Sequence, residues 1–231
     1  MERQRRLGDA VATLLITADD YGLAPAYDAG ILEAARAGAV DAVSVMVLRE
    51  PDPAPLGETG VEVGLHLEPF GIAKLERQLA GFELAFGRPP THIDGHHHCH
   101  AEERGPGLAV AKLARERGIP VRSVNPRHRR LLRCQGVPTA DRLLGRLDER
   151  EAAIQPGIER WLAGEASGGI SEWMVHPGHP DPSTGSSYDR GRGEDLALLL
   201  SLGDREAWRA RGVRRAGPSE LLRSSPGGGP R

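Results

Sequence analysis

The sequence is poor in cysteine and aromatic residues and has no long hydrophobic run. Its two cysteines, Cys99 and Cys134, are too few for a disulfide framework or a four-cysteine zinc site, which predicts a reducing, intracellular setting. No segment approaches the ~20 apolar residues that span a bilayer. The basic N-terminal stretch is followed by an interrupted apolar run without a signal-peptide cleavage site. We therefore predict a cytoplasmic protein with no membrane span.

The sequence also lacks a charge excess of either sign. Charged residues make up 27% of the chain and the formal net charge is -2, which excludes a strongly basic nucleic-acid binder and an acidic disordered chain. Aromatic residues make up only 4%, so the core must consist mainly of Ala, Val, Leu and Ile. A length of 231 residues favours one domain, which we place at residues 1–223, followed by a disordered tail at 224–231.

Strand and helix patterns alternate along most of the chain. Short apolar, β-rich runs predict strands over residues 10–18, 42–48, 61–67, 91–94, 119–124, 171–176 and 213–216. Helices are predicted over residues 25–36, 72–86, 107–117 and 194–211, with an irregular, helix-biased interval at 127–164. Such alternation predicts parallel strands in an α/β fold, either an open sheet or a closed barrel. Six or seven repeats favour a single-domain, distorted (β/α) barrel.

Polar groups follow the ends of several predicted strands. Asp19 and Asp20 follow the first predicted strand. The other polar groups lie at the ends of later strands: His66 at the third strand, Asp94 and His96 at the fourth strand, Arg122 at the fifth strand and His176 at the sixth strand. A parallel barrel brings these strand ends to one rim, where residues distant in sequence can converge on one ion. One of the adjacent aspartates could then bind a cation while the other acts as a general base. Taken alone, adjacent aspartates are more often turn or cap residues.

Nine histidines are present, and five of them fall in one run, at positions 92, 96, 97, 98 and 100. If the run is extended, His92, Asp94, His96, His98 and His100 share one face at a spacing of ~6.6 Å, so at most two neighbours bind the same ion directly. An Asp and a Gly inside the run argue against a surface polyhistidine tract. Taken alone, His66 is typical of a hydrogen-bonded core histidine, and His176 fits a turn residue as well as a functional one.

Several segments together resemble the YdjC-like carbohydrate deacetylases. They are TADDYGL at residues 17–23, GILEA at 30–34, SVMV at 44–47, GLHL at 64–67, HIDGHHH at 92–98 and HPGH at 176–179. The resemblance implies a distorted barrel with one divalent cation, usually Mg²⁺, bound by Asp20, His66 and His96. It also implies Asp19 as general base, His176 as general acid, a small acetylated sugar as substrate and a homodimer. Two imidazoles and a carboxylate suit Zn²⁺ or another transition ion better than Mg²⁺.

The expected reaction is hydrolysis of an N-acetyl group on an amino sugar or oligosaccharide. Asp94 is expected to orient a liganding histidine, and Arg122 and His98 to support a ligand or contact substrate. The chain departs from the family at Tyr21, where Phe is common, at Asp28, where Asn is common, and in a shortened interval at residues 68–92. Two alternatives are another metal-dependent barrel hydrolase, such as a phosphoesterase or amidohydrolase, and a non-catalytic, His-rich metal-binding protein.

Overall fold

A parallel β-sheet forms the centre of the computed structural model, which describes residues 12–69, 72–102, 105–145 and 168–223 together with Ile158 and Trp161. The strands are β1 (Ala12–Tyr21), β2 (Ala42–Val45), β3 (Glu62–Leu67), β4 (Ile93–Gly95), β5 (Arg142–Leu144), β6 (Ile170–Val175) and β7 (Val213–Arg215). Their order in the sheet is β4-β3-β2-β1-β6-β5, and β7 pairs with the first residues of β1. The predicted tail at 224–231 lies outside the described residues.

Helices follow most of the strands, as expected for crossover connections. They are α1 (Pro25–Arg36), α2 (Ala54–Gly57), α3 (Ile72–Phe86), α4 (Pro106–Arg117), α5 (Pro126–Cys134), α6 (Asp189–Leu202), α7 (Arg205–Ala210) and α8 (Glu220–Arg223). Within the described residues, no helix combines the length and apolar character needed to cross a bilayer. The predicted boundaries of α1 and α3 match the structure.

The sheet curls because irregular segments continue it beyond β4. Ile93 forms a single parallel bridge with Val121, whose N–H donates to the carbonyl of Pro138 at 3.0 Å. The N–H of Asp141 then donates to the carbonyl of Ile170 at the start of β6, at 2.8 Å. These bonds lead from β4 back to β6, which confirms the predicted α/β fold with a distorted (β/α) barrel.

Strand β1 is central, and all ten of its residues are buried. The apolar cluster around it is built mainly from Ala, Val, Leu and Ile, as predicted. The largest fully buried side chains are nevertheless those of Trp161, Trp173 and Trp208. The few aromatic residues therefore contribute more to the core than their number suggests, because each tryptophan removes a large apolar area from water.

Several elements of the structure differ from the prediction. Residues 119–124 form a single bridge instead of a strand, and Pro120 within this segment lacks the N–H that a regular ladder requires. The helix predicted over 194–211 is divided into α6 and α7 by Gly203, whose φ of 83° is left-handed and ends α6. Strand β5 was not predicted, because its three residues lie in an interval of helical bias.

Asp28 in the first turn of α1 accepts a 2.6 Å hydrogen bond from the N–H of Gly22. Burial raises the pKa of Asp28 to about 6, although this hydrogen bond favours the charged form. The raised folded-state pKa contributes stability below the unfolded pKa, and this contribution is lost as pH rises through about 6. Asp28→Asn should therefore increase the free energy of unfolding at pH 7.5 by ~1 kcal/mol, a value reduced because the side chain is partly exposed.

Urea denaturation at pH 4 and pH 7.5 measures this difference. The amide oxygen of Asn can still accept from Gly22, so the gain should appear at pH 7.5 and disappear at pH 4. An equal gain at both pH values would contradict the assigned cause.

Candidate active site

A β-bulge near the end of β1 places two consecutive carboxylates at the same end of the barrel. Ala18 pairs with Val43 and Tyr21 with Val45, so β1 contains one more residue than β2 between the paired positions. Asp20 has a left-handed φ of 73°. Adjacent side chains of a regular strand point to opposite faces, and a bulge can re-aim one of them. The prediction that β1 stops before Asp19 was wrong, because the strand continues through the bulge to Tyr21.

The three residues predicted as metal ligands lie together. His66 is on β3 and His96 directly follows β4. Asp20 Oδ1 lies 3.1 Å from His66 Nε2 and 2.9 Å from His96 Nδ1. One ligand atom from each residue lies within 4.8 Å of the others. Asp20 and His66 are buried, whereas His96 is partly exposed.

The other nitrogen of His66, Nδ1, lies 2.7 Å from Asp94 Oδ1. In the neutral ring a proton on Nδ1 serves this bond, and the lone pair of the buried Nε2 faces Asp20 Oδ1 at 3.1 Å. Burial alone lowers the pKa of His66, but the surrounding carboxylates, Asp94 and Asp19 foremost, outweigh it and raise the pKa to about 10. The group therefore attracts positive charge strongly.

Arg122 lies beneath this group and joins three carboxylates. It donates to both oxygens of Asp19, at 2.6 and 2.8 Å, and to Glu172 Oε1 at 2.8 Å, and it forms an ion pair with Asp94 Oδ2 at 2.8 Å. All four side chains are buried. Ser44 Oγ also donates to Asp94 Oδ2, at 2.7 Å. Arg122 thus holds Asp19, while Asp94 holds the ring of His66.

Arg192 on α6 completes the charged cluster. Its Nη2 donates to Asp20 Oδ2 at 2.7 Å, and its guanidinium lies 4.1 Å from the centre of the Tyr27 ring. Both side chains of the ion pair are buried. The sequence analysis did not identify Arg192. No motif marks it, and its partner lies 172 positions away in the chain.

A cleft of about 700 Å³ opens above these residues. Asp19, Asp20, His66 and His96 contribute to its floor, and its other lining residues are Leu23, Tyr27, Arg49, Gly95, His97, His98, Met174, His176, Thr184, Ser186, Ser187, Tyr188 and Arg192. The sequence analysis also predicted that Arg122 and His98 support a ligand or contact substrate. His98 lines the cleft. Arg122 is not among the lining residues.

His176 directly follows β6 and is held at two points. Its backbone N–H donates to Asp195 Oδ2 at 2.9 Å, and its ring meets the ring of Tyr188 edge-on, with centres 5.6 Å apart. Tyr188 donates from its hydroxyl to Asp195 Oδ1 at 3.0 Å. Burial lowers the pKa of His176, and the nearby carboxylates of Asp20 and Asp19 only partly offset this effect.

The extended face predicted for the histidine run does not form. Strand β4 ends at Gly95, and the chain turns through His97 and His98, whose φ values of 49° and 58° are left-handed. The histidines therefore point to different surroundings. His92 Nε2 lies 2.9 Å from Ser44 Oγ, and the buried His100 lies with Nε2 3.0 Å from the carbonyl of Arg122.

Comparisons with known proteins identify the family of the chain. The family model for YdjC-like proteins matches residues 13–68 and 72–210. The chitooligosaccharide deacetylase of Serratia marcescens is 29% identical over 148 residues, which cover 47% of this chain and 58% of that enzyme. The match therefore spans little more than half of the Serratia protein. The human carbohydrate deacetylase is also 29% identical, over 74% of this chain and 77% of its own length.

A solved structure shows the same fold. It is that of an Enterococcus faecalis V583 protein named for cellobiose-phosphate cleavage, with a TM-score of 0.76 and 23% identity over 92% of this chain and 99% of that one. Together with the family match over most of the chain, these findings establish that the chain belongs to the YdjC-like protein family.

Proposed function

We propose that the chain is a metal-dependent hydrolase that removes N-acetyl groups from amino sugars or their oligosaccharides. The observation that carries the proposal is the convergence of Asp20, His66 and His96 beside Asp19 at the floor of one cleft. The relatives named as deacetylases of chitooligosaccharides and carbohydrates support the substrate class. The cleft volume of about 700 Å³ leaves room for a small sugar substrate.

The buried charges fit one divalent cation. Among the described residues, the carboxylates of Asp19, Asp20, Asp94 and Glu172 carry four negative charges, and the guanidinium groups of Arg122 and Arg192 supply two positive charges. The remaining negative charge holds a proton on His66, whose pKa is raised to about 10, and a divalent cation would replace that proton. Without that proton, His66 Nε2 offers a lone pair beside Asp20 Oδ1, 3.1 Å away. Asp20, His66 and His96 would hold the ion. Resemblance implies Mg²⁺, whereas two nitrogen donors and one oxygen donor favour Zn²⁺ or another transition ion.

A bound divalent cation supplies Lewis acidity, which polarises an acetyl carbonyl and lowers the pKa of water. We assign to Asp19 the removal of a proton from the attacking water, whose oxygen adds to the acetyl carbon. The bond between that carbon and nitrogen then breaks. The protonated form of His176, which is a stronger acid because burial lowers its pKa, gives a proton to the departing nitrogen, because an amine leaves poorly as an anion. The products are acetate and the free amino sugar.

The neighbours of these residues define supporting roles. Asp94 orients His66 through the 2.7 Å contact at Nδ1, so that Nε2 faces Asp20. Arg122 fixes the direction of the Asp19 carboxylate through two hydrogen bonds. His98 lines the cleft and is assigned to substrate contact.

Acetate release from N-acetylglucosamine oligomers tests the proposal. The purified chain should release acetate, lose this activity with a chelator and regain it when one equivalent of a divalent cation is added. Phosphate release from phosphoesters without acetate release would indicate a phosphoesterase instead.

His66→Ala should abolish tight cation binding, measured by calorimetry, and reduce acetate release by at least ~100-fold. His179→Ala is the matched control, because His179 is exposed and pairs with Glu33 outside the cleft. Several ions per chain that persist in His66→Ala would instead support a metal-binding protein that uses the histidine run.

A further inference from the structure

The two carboxylate oxygens of Asp20 have different partners. Oδ1 faces the ring nitrogens of His66 and His96, at 3.1 and 2.9 Å. Oδ2 accepts a 2.7 Å hydrogen bond from Arg192 Nη2. Such charge-assisted bonds are among the stronger hydrogen bonds in proteins, and this one is buried. Only Oδ1 is therefore directed toward both imidazoles.

Arg192 is held in place independently of Asp20. Its guanidinium stacks over Tyr27, whose hydroxyl lies 2.5 Å from Thr184 Oγ1. Its backbone carbonyl accepts a hydrogen bond from the N–H of Gly178 at 3.2 Å. A Cβ at position 178 would lie only 3.3 Å from the Cβ of Arg192, so the loop packs closely on this residue. These contacts fix the backbone of Arg192 and one face of its guanidinium, whose buried Nε and Nη1 have no hydrogen-bond partner within the described residues.

We propose that Arg192 is a positioning residue that restricts Asp20 to binding the cation through one oxygen. The inference rests on the cation of the proposed function. A carboxylate can bind a metal with one oxygen or with both, and catalytic sites require a ligand position that the protein leaves open. Because Arg192 occupies Oδ2 with a hydrogen bond, this second oxygen of Asp20 cannot fill the open ligand position of the cation. Its positive charge also opposes excessively tight cation binding.

Removal of Arg192 should therefore strengthen cation binding and weaken catalysis. In Arg192→Met the second oxygen is released and a nearby positive charge is lost. We expect the Co²⁺ affinity to rise about tenfold and acetate release to fall about 100-fold, in line with other residues that support metal ligands. A merely structural role predicts weaker binding and lower activity together.

The experiment compares Co²⁺ binding by wild type, Arg192→Met, Arg192→Lys and Arg190→Met. The visible absorption of Co²⁺ depends on its coordination number, and calorimetry gives affinity and stoichiometry. Arg192→Met should change the absorption spectrum. Arg192→Lys retains a positive donor for Oδ2 and should restore a spectrum close to that of wild type. Arg190→Met is the control on the same helix, because Arg190 is exposed and, within the described residues, forms an exposed ion pair with Glu194.

The outcomes separate this inference from the proposed function. An Arg192→Met variant with wild-type spectrum and affinity overturns the role of Arg192, even if the wild type releases acetate. A changed spectrum with tighter binding supports it, even if no acetate is released. A wild type that binds no Co²⁺ overturns both. If circular dichroism shows that Arg192→Met does not fold, Arg192→Leu provides the same comparison, because leucine also lacks a donor for Oδ2, and the spectrum and affinity again decide the result.

Discussion

Asp19→Asn is expected to lower the rate of acetate release by about 10³-fold, within the range typical for loss of a general base. The substitution preserves the size of the side chain but removes its capacity to accept a proton from water. Cation binding should persist if the ion lies between Asp20, His66 and His96, which are unchanged, and not between Asp19, His66 and Asp94, whose ligand atoms also lie within 4.8 Å of one another. The amide oxygen can still accept one of the two hydrogen bonds that Arg122 donates.

Acetate release and calorimetric cation binding, measured on the same preparation, check this expectation. Asp28→Asn is the matched control, because it makes the same chemical change in α1 and should leave acetate release unchanged. A fully active Asp19→Asn variant would rule out Asp19 as the base. Loss of cation binding together with activity would instead place Asp19 among the groups that hold the ion.

The residues that converge at the cleft could be predicted because each belongs to the end of a parallel strand. Asp19 and Asp20 end β1, His66 lies near the end of β3, and His96 directly follows β4. A parallel barrel brings such ends together whatever their separation in sequence. Strand periodicity and motif spacing were sufficient for this part of the site.

The other features of the site and the fold depend on backbone geometry and helix packing, which the sequence pattern does not encode. The bulge at Asp20 and the left-handed turn at His97 and His98 both break the alternation on which a strand prediction rests. The contact between Arg192 and Asp20 depends on how α6 packs against α1, and no local pattern reports that placement. The single bridge at Val121 likewise depends on its partner, Ile93, in β4.

Arg122→Met is expected to lower the free energy of unfolding by ~3–5 kcal/mol, the usual cost of breaking a buried ion pair by removing one partner. The variant removes the guanidinium group that pairs with all three carboxylates, and it leaves Asp19, Asp94 and Glu172 buried. Urea denaturation in the presence of a chelator measures the loss. Arg133→Met is the control, because its pair with Asp141 is largely exposed and should contribute at most ~1 kcal/mol.

A second substitution tests whether uncompensated charge causes this loss. Glu172 accepts from Arg122 and from the hydroxyl of Thr17, and it is not among the residues that line the cleft. Glu172→Gln removes one of the three negative charges, so the double variant should be more stable than Arg122→Met alone by ~1–2 kcal/mol, a coupling expected for residues in direct contact. Glu172→Gln in the wild-type background should be destabilising. If the two losses simply add, Arg122 stabilises the barrel through packing, and its charge has little part in holding Asp19.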